Sequence, residues 1–281
     1  MAEELVSGRW RLLVDGPARA SWNMAVDEAI MTMVGRKEAP PTLRIYRWDP
    51  PALSLGYFQR LEEVDLSACR SRGVDLVRRP TGGRAILHDE EVTYSLSLPE
   101  DLPWLPRGVT EAYRLIAGGL VRGLRSLGVP AEMAPAGRRG GGKTAACFDA
   151  PCTYEIVARG RKLVGSAQMR RMRAVLQHGS FPLRLQAEEL FDLLHFNSPR
   201  ERALGQELFA AKAISLGELL DSPRFDNVWP AIVRGLGEEL GVDFDRGSLT
   251  PAEEELARGL AREKYANDKW NLDGPRRRKK E

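Results

Sequence analysis

A chain of 281 residues holds one large domain or two small ones, with ample material for a buried core. Hydrophobic residues at 43% and charged residues at 29% are ordinary for a globular protein, and 42 basic against 39 acidic side chains leave a net charge of +3, too mild for a nucleic-acid partner. No 18-residue apolar run exists to span a membrane, "MAEELVSGRWRLLVDG" lacks the apolar stretch of an export signal, and three cysteines make no disulfide framework, so the expected compartment is the reducing cytosol.

Trp22, Ala25, Val26, Ala29, Ile30 and Met33 recur at helical spacing, which predicts an amphipathic helix capped near Ser21. Strand-like pieces follow: "LRIYRW" at 43–48, "ALSLGYF" at 52–58 and "VDLVRRP" at 74–80. In "VTYSLSL", Val92, Tyr94, Leu96 and Leu98 alternate with hydroxyl residues, the pattern of a half-buried strand. Thr110 to Leu127 carries a helical stripe of Tyr113, Ile116, Leu120, Leu124 and Leu127, with Gly128 placed to end it at positive φ. "TYEIVARGRKLVGSAQ" (153–168) is a hairpin turning at Arg159-Gly160, and "AVLQHGSFPL" (174–183) a further strand. From about Ala187 the pattern is helical to the end, broken near "DSPRFDN" (221–227). These elements predict an α+β domain with a mixed, largely antiparallel sheet backed by helices. Residues 1–249 form the domain, with its core at about 35–245, and 250–281 a helical segment and basic tail packed against it.

Residues 137–144 within "GRRGGGKTAACFDAPC" match the phosphate-loop pattern G-x-x-x-x-G-K-[ST]. Such a loop works only between a buried parallel strand and a helix, whose N-terminal amides converge on phosphate. Upstream "VPAEMAPA" (129–136) is a poor central strand because of Pro130 and Pro135, and Pro151 limits any following helix. A glycine-rich connection is the better reading.

Cys147 follows that connection. It is either a small buried apolar residue or a thiolate stabilised by an ammonium, for which Lys143 and Lys162 are candidates. Cys152 and Cys69 carry the bland reading with more weight, and the spacing of Cys147 and Cys152 is not that of redox or zinc pairs. His88, His178 and His195 do not cluster with the cysteines, so no metal site is expected. In "RRPTGGRAILHDEEVTYS" (78–95), Gly82 and Gly83 permit close approach of a ligand, while Arg78, Arg79 and Arg84 favour an anion; an ordinary turn with solvated arginines is the alternative.

Taken in order, "RRPTGGRAILHDEEVTYS", "ACFDAP", "GRKLVGSAQMRR" and "LQHGSFPL" resemble the biotin/lipoate protein ligase and lipoyl-transferase superfamily. The likeness is strongest to its octanoyltransferases of lipoate assembly in Gram-positive bacteria and extends from Trp22 to "KYANDKWN" (264–271). The resemblance implies a ligase-like catalytic domain in which Cys147 carries the acyl group as a thioester and Lys162 lowers its pKa. It assigns substrate binding to Arg79, Gly82, Gly83, His88, Gly165 and Ala167, with Leu87 and Val164 candidates for an acyl tunnel. It implies octanoyl-acyl carrier protein as donor and the glycine cleavage H protein or another lipoyl domain as acceptor, with no ATP or metal, in a cytoplasmic monomer. Arg170, Arg171 and Arg173 are candidates for docking the acidic carrier, or a solvated basic loop. The alternatives are an ATP-dependent lipoate or octanoate ligase and a non-catalytic acyl-protein binding module. Against the ligase stand Cys147, Arg84 in place of a glycine, and Glu90-Glu91 where the ligases carry Gly-Asn.

Overall fold

The computed structural model describes residues 8–134 and 155–274. Lys143, Cys147, Cys152 and the stretch 137–144 lie outside them. In chain order come β1 (Arg9–Ala18), α1 (Ala20–Gly35), β2 (Thr42–Trp48), β3 (Ala52–Leu55), α2 (Leu66–Ser71), β4 (Asp75–Arg78), β5 (Ile86–His88) and β6 (Glu91–Pro99). Next are α3 (Val109–Ser126), β7 (Ala131–Met133), β8 (Ile156–Ala158), β9 (Arg161–Arg171) and β10 (Ala174–Pro182). The chain closes with α4 (Ala187–Asp192), α5 (Pro199–Lys212), α6 (Phe225–Leu240), β11 (Asp243–Arg246) and α7 (Pro251–Leu260).

Eight strands make one sheet in the order β11-β1-β2-β6-β10-β9-β8-β7, and β4-β3-β5 make a second. Within the large sheet only the β1 pairings with β11 and β2 are parallel, so it is mixed and largely antiparallel, as expected. Helices α3 and α6 cover one face. Helix α1 covers the other, with α7 packed outside it. The small sheet shares a third apolar cluster with α2, α4 and α5. Among the described residues no helix is long and apolar enough to cross a membrane.

Strand β6 departs from its expected half-burial, because all nine of its residues are buried. Val92, Tyr94, Leu96 and Leu98 join the core under α3 and α6, while Thr93 and Ser95 face polar partners on the α1 side. The hydroxyl face is therefore an interior face, not a solvated one. Helix α1 is the counterpart of that correction. Its apolar positions are in the core, but Asn23, Asp27, Glu28 and Thr32 are buried as well, so it is not amphipathic against solvent. Nor does Ser21 cap it. The helix starts at Ala20, whose N–H donates to the Asp75 carboxylate (3.3 Å), and Asp75 also pairs with Arg19 (2.8 Å). A cap supplied from 55 residues away leaves no local signal.

Two further expectations meet a different outcome. "ALSLGYF" stops being a strand after Leu55. The C-terminal third is not helical throughout, since β11 adds to the sheet edge beside β1, a strand the local pattern did not reveal. The three-residue β5 was likewise not anticipated. By contrast, Gly128 at φ +86 follows α3, and Arg159 and Gly160 (φ +50 and +73) make the expected β8–β9 turn. Strand β7, just upstream of 137–144, is a three-residue antiparallel edge strand, not the central parallel strand a phosphate loop needs.

The segment after Gly247 is anchored to the body of the fold. Thr250 and Glu253 form a capping box at the start of α7, and Glu253, buried, accepts from the Arg11 guanidinium (2.7 Å). Lys264 and Tyr265 both donate to Glu28 of α1. Asn271 accepts from the Arg78 N–H (2.9 Å), and the Trp270 indole donates to the Arg78 carbonyl (2.9 Å).

Candidate active site

A cavity of about 420 Å³ lies where α1, the start of α3, the Gly82-Gly83 loop and strands β2, β9 and β10 meet. Exposure falls from Val109 (52%) to Met24 (1%) and Tyr46 (0%), so the cavity deepens toward α1 and β2. Its volume is at the small end for ligand pockets, suited to a slender ligand. Met24, Trp48, Ile86 and Val109 give it apolar walls.

Seven of the residues singled out from sequence, Arg79, Gly82, Gly83, His88, Lys162, Gly165 and Ala167, line this one cavity. The eighth, Cys147, lies outside the described residues. Leu87 and Val164 do not line it. Leu87 packs in the small-sheet cluster and Val164 in the core under α3, because strand alternation turns both away. Arg78 is also turned away: its guanidinium donates to the carbonyls of Gly56 (2.9 Å), Gln59 (2.8 Å) and Asn271 (3.0 Å), a structural brace and not an anion site.

The loop carrying Gly82 and Gly83 is held from both sides. Arg79 donates to the carbonyls of Gly82 (3.2 Å) and Arg84 (2.9 Å) and to that of Ser54 (2.7 Å). Gly83 adopts φ +105, and its carbonyl abuts Gly56 so closely that a side chain at 56 would collide with it. Thr81, just before the glycines, shares a hydrogen bond with His178 Nε2 (2.6 Å).

Two histidines on the cavity wall are each fixed by a carboxylate. His88 Nδ1 lies 2.8 Å from Glu91 Oε1 and Nε2 lies 2.6 Å from Ser54 Oγ, while its ring stacks on Trp48 at 4.2 Å. Because the ionised Glu91 carboxylate can only accept, His88 donates to it from Nδ1, while Ser54 Oγ also accepts from Arg79 (2.6 Å). Burial alone would raise the Glu91 carboxyl, but His88, Ser180 and Thr93 outweigh it and hold Glu91 below the usual carboxylate range. His178 Nδ1 faces Asp27 Oδ2 at 3.5 Å, and burial pushes the imidazole below its ordinary value despite that carboxylate. Asp27 in turn accepts from Arg44 (2.9 Å), Tyr46 (2.9 Å) and Ser95 (2.7 Å). Burial again works to raise Asp27, and His178, Arg44 and Ser95 prevail in lowering it.

Lys162, 6% exposed, brings the ammonium to the wall, 2.6 Å from Glu155 Oε1. Cys69, in α2, is the contrasting sulfur. Burial pushes its thiol up to about 11, and it packs in the small-sheet cluster, not in the cavity lining. Arg170 donates to the Pro106 carbonyl beside the α3 N-terminus, and Arg171 and Arg173 are exposed at the β9–β10 turn.

The sequence reading missed Met24, Tyr46, Trp48, Thr93, Tyr113, Gln168 and Ser180 as lining residues, and it weighed His178 only as a possible metal ligand. Within the sequence they read as core or strand positions, and only the fold makes them neighbours. A histidine followed by Gly179 and Ser180 in "LQHGSFPL" is a local hint.

The sequence matches the family model described as Lipoyl protein ligase A/B catalytic domain over residues 19–237. An octanoyltransferase LipM from Kyrpidia tusciae is 50% identical over 269 residues, covering 93% of this chain and 98% of that protein. One from Bacillus subtilis is 40% identical, covering 93% and 97%. Among solved structures, a chain from the archaeal lipoylation system of Thermoplasma acidophilum, a bipartite lipoate protein ligase and its E2 lipoyl domain, superposes with TM-score 0.79 at 28% identity, covering 96% and 98%. An ATP-bound lipoate-protein ligase A superposes with TM-score 0.75 at 30% identity, covering 94% and 98%.

Proposed function

The chain belongs to the lipoyl protein ligase A/B catalytic-domain family as an acyltransferase of the octanoyltransferase type, and from that premise we propose that it transfers octanoyl from octanoyl-acyl carrier protein to a lysine of a lipoyl domain such as the glycine cleavage H protein. In this reading Cys147 carries the acyl group between the two proteins. The observation that carries the reading is the lysine it assigns to that cysteine: Lys162 lines a narrow, apolar-walled cavity that deepens to buried Met24 and Tyr46.

The Cys147 thiolate attacks the donor thioester carbon, the carbon–sulfur bond to the carrier breaks, and the carrier thiolate leaves. One thioester replaces another, so the step is near balance and needs no ATP. The neutral amine of the acceptor lysine then attacks the new thioester, an amide forms, the bond to Cys147 breaks, and an amine proton returns to the thiolate. Amide formation from a thioester is strongly favourable, and the two-step route is covalent nucleophilic catalysis. A free thiol with pKa ~8.5 is only a few per cent ionised at pH 7, so lowering it by ~1.5 units raises the reactive fraction roughly tenfold. That is the work assigned to the Lys162 ammonium. The fixed Gly82-Gly83 loop and the Arg79 brace shape the wall the acyl chain meets. No metal or nucleotide enters these steps, and the free thiol suits the cytosol.

The ATP-dependent ligase reading has one observation in its favour, the likeness to the lipoate protein ligases. Intact mass after mixing with octanoyl-acyl carrier protein and no ATP separates the two. The expected result is addition of one octanoyl group, absent in Cys147→Ala and slowed about a hundredfold or more in Lys162→Met. Transfer that appears only when ATP is supplied overturns the proposal.

A further inference from the structure

Glu155 is not among the described residues that line the cavity, but it contacts Lys162, which is. Its backbone carbonyl accepts from Ala134 (2.8 Å), and the next residue opens β8 opposite β9. The Lys162 backbone is held as firmly, its carbonyl accepting from Ile214 (2.9 Å). With both backbones fixed, the remaining freedom is that of a long, flexible lysine stem, and the 2.6 Å contact with Glu155 Oε1 anchors its head. The neighbouring cation, Arg161, is engaged by Glu218 (2.7 Å). A buried ammonium with no anion is either expelled toward water or loses its proton. Here a carboxylate 15% exposed stands beside an ammonium 6% exposed.

We propose that Glu155 is a positioning residue of the transfer reaction, holding the Lys162 ammonium charged and fixed at the cavity wall before and between acyl-transfer steps. The proposal rests on the reading of Lys162 given under Proposed function. It explains why a carboxylate, which works against a neighbouring thiolate, stands at this site. The lysine must be cationic before the thiolate exists, and Glu155 supplies the countercharge for that interval. Glu155 itself forms and breaks no bond.

The test compares wild type with Glu155→Gln, which keeps shape and an acceptor oxygen but removes the charge, and with Glu155→Asp. For Glu155→Gln, kcat is expected to fall about 10- to 100-fold, with KM for octanoyl-acyl carrier protein within about threefold of wild type. The alkaline limb of its pH–rate profile moves to lower pH, because loss of the adjacent anion favours the neutral amine. Glu155→Asp recovers part of the rate. A readout independent of activity is labelling of Lys162 by an amine-acylating ester across pH, followed by peptide mass spectrometry. Labelling is expected to begin at lower pH in Glu155→Gln than in wild type. Unchanged kcat, pH profile and labelling in a folded Glu155→Gln protein overturn the proposal. Absence of octanoyl transfer by the wild-type protein sinks the functional reading instead, and the labelling comparison still decides whether Glu155 governs Lys162.

Discussion

The two faces of β6 are equally dry and chemically opposite. Under α3 and α6, Val92, Leu96 and Leu98 meet apolar side chains and contribute through area, about 1.5–3 kcal/mol for each, while Tyr94 adds a ring whose hydroxyl accepts from Gln177 (3.0 Å). Under α1, Thr93 and Ser95 meet a hydrogen-bonded set centred on Glu91 and Asp27, and that set continues through His88 and His178 to the cavity. Interchangeable contacts hold the first face, whereas the second depends on each partner being present, because a buried charge that loses its partner is costly. The site grows out of the second face. Trp48, His88, His178 and Ser180 belong at once to the network and to the cavity wall, so the polar interior is where stability and function meet.

The comparison breaks most sharply at Asp27. Asp27→Ala takes one of two carboxylates from the Arg44 guanidinium, itself 0% exposed and left with Asp15 (2.7 Å), and removes partners from Tyr46, Ser95 and His178. A loss of about 3–5 kcal/mol is expected. Thermal unfolding should show it as a fall in Tm of about 10 °C, with octanoyl transfer impaired because the cavity wall loosens. Leu96→Ala, on the other face, is expected to cost about 2–5 kcal/mol by leaving a cavity. Its surviving folded fraction should transfer octanoyl at the wild-type rate when assayed well below Tm. Equal losses of transfer in both variants, after correction for the folded fraction, would erase the distinction between the faces.

The smallest effect is a pH dependence confined to the polar face. The folded His178 binds a proton less readily than an ordinary imidazole of pKa 6.5, so below that value the unfolded chain takes up more protons. The stability it contributes is present above pH 6.5 and is lost as pH falls through that region. Glu91 and Asp27, both held below their ordinary values of 4.5 and 3.8, act in the same direction at lower pH. Unfolding midpoints from pH 8 to 2 should therefore fall in two stages. His178→Gln should flatten the upper stage and shrink the Asp27 part of the lower one while leaving that of Glu91, whereas Leu96→Ala should shift the whole curve without changing its shape.

Much of this was legible along the chain. The apolar periodicity placed α1, β2, β6, α3 and β10 within one or two residues of their observed ends, and β9 within three, because burial against a layer imposes its period on the sequence. Seven proposed site residues meet at one cavity, since the segments that carry them, 78–88 and 161–168, are dense in glycine and in chemically active side chains. What local pattern could not carry was which face of a strand or helix is solvent. The hydroxyls of β6 and the acids of α1 look like surface in a one-dimensional reading.

The sequence by itself determined the largely antiparallel sheet with its helices, the failure of the phosphate-loop motif on its upstream flank, and the family resemblance that singled out Lys162. Only the tertiary structure decided that α1 is buried all round and that a distant Asp75 caps it. It also decided that β1 and β11 extend the sheet and that Glu155 stands beside Lys162. The physical reason is one of range. Periodicity and turn chemistry act between residues a few positions apart, whereas a buried polar group is satisfied by whichever partner the fold delivers. Asp75 lies 55 positions from Ala20, and Thr81 lies 97 from His178.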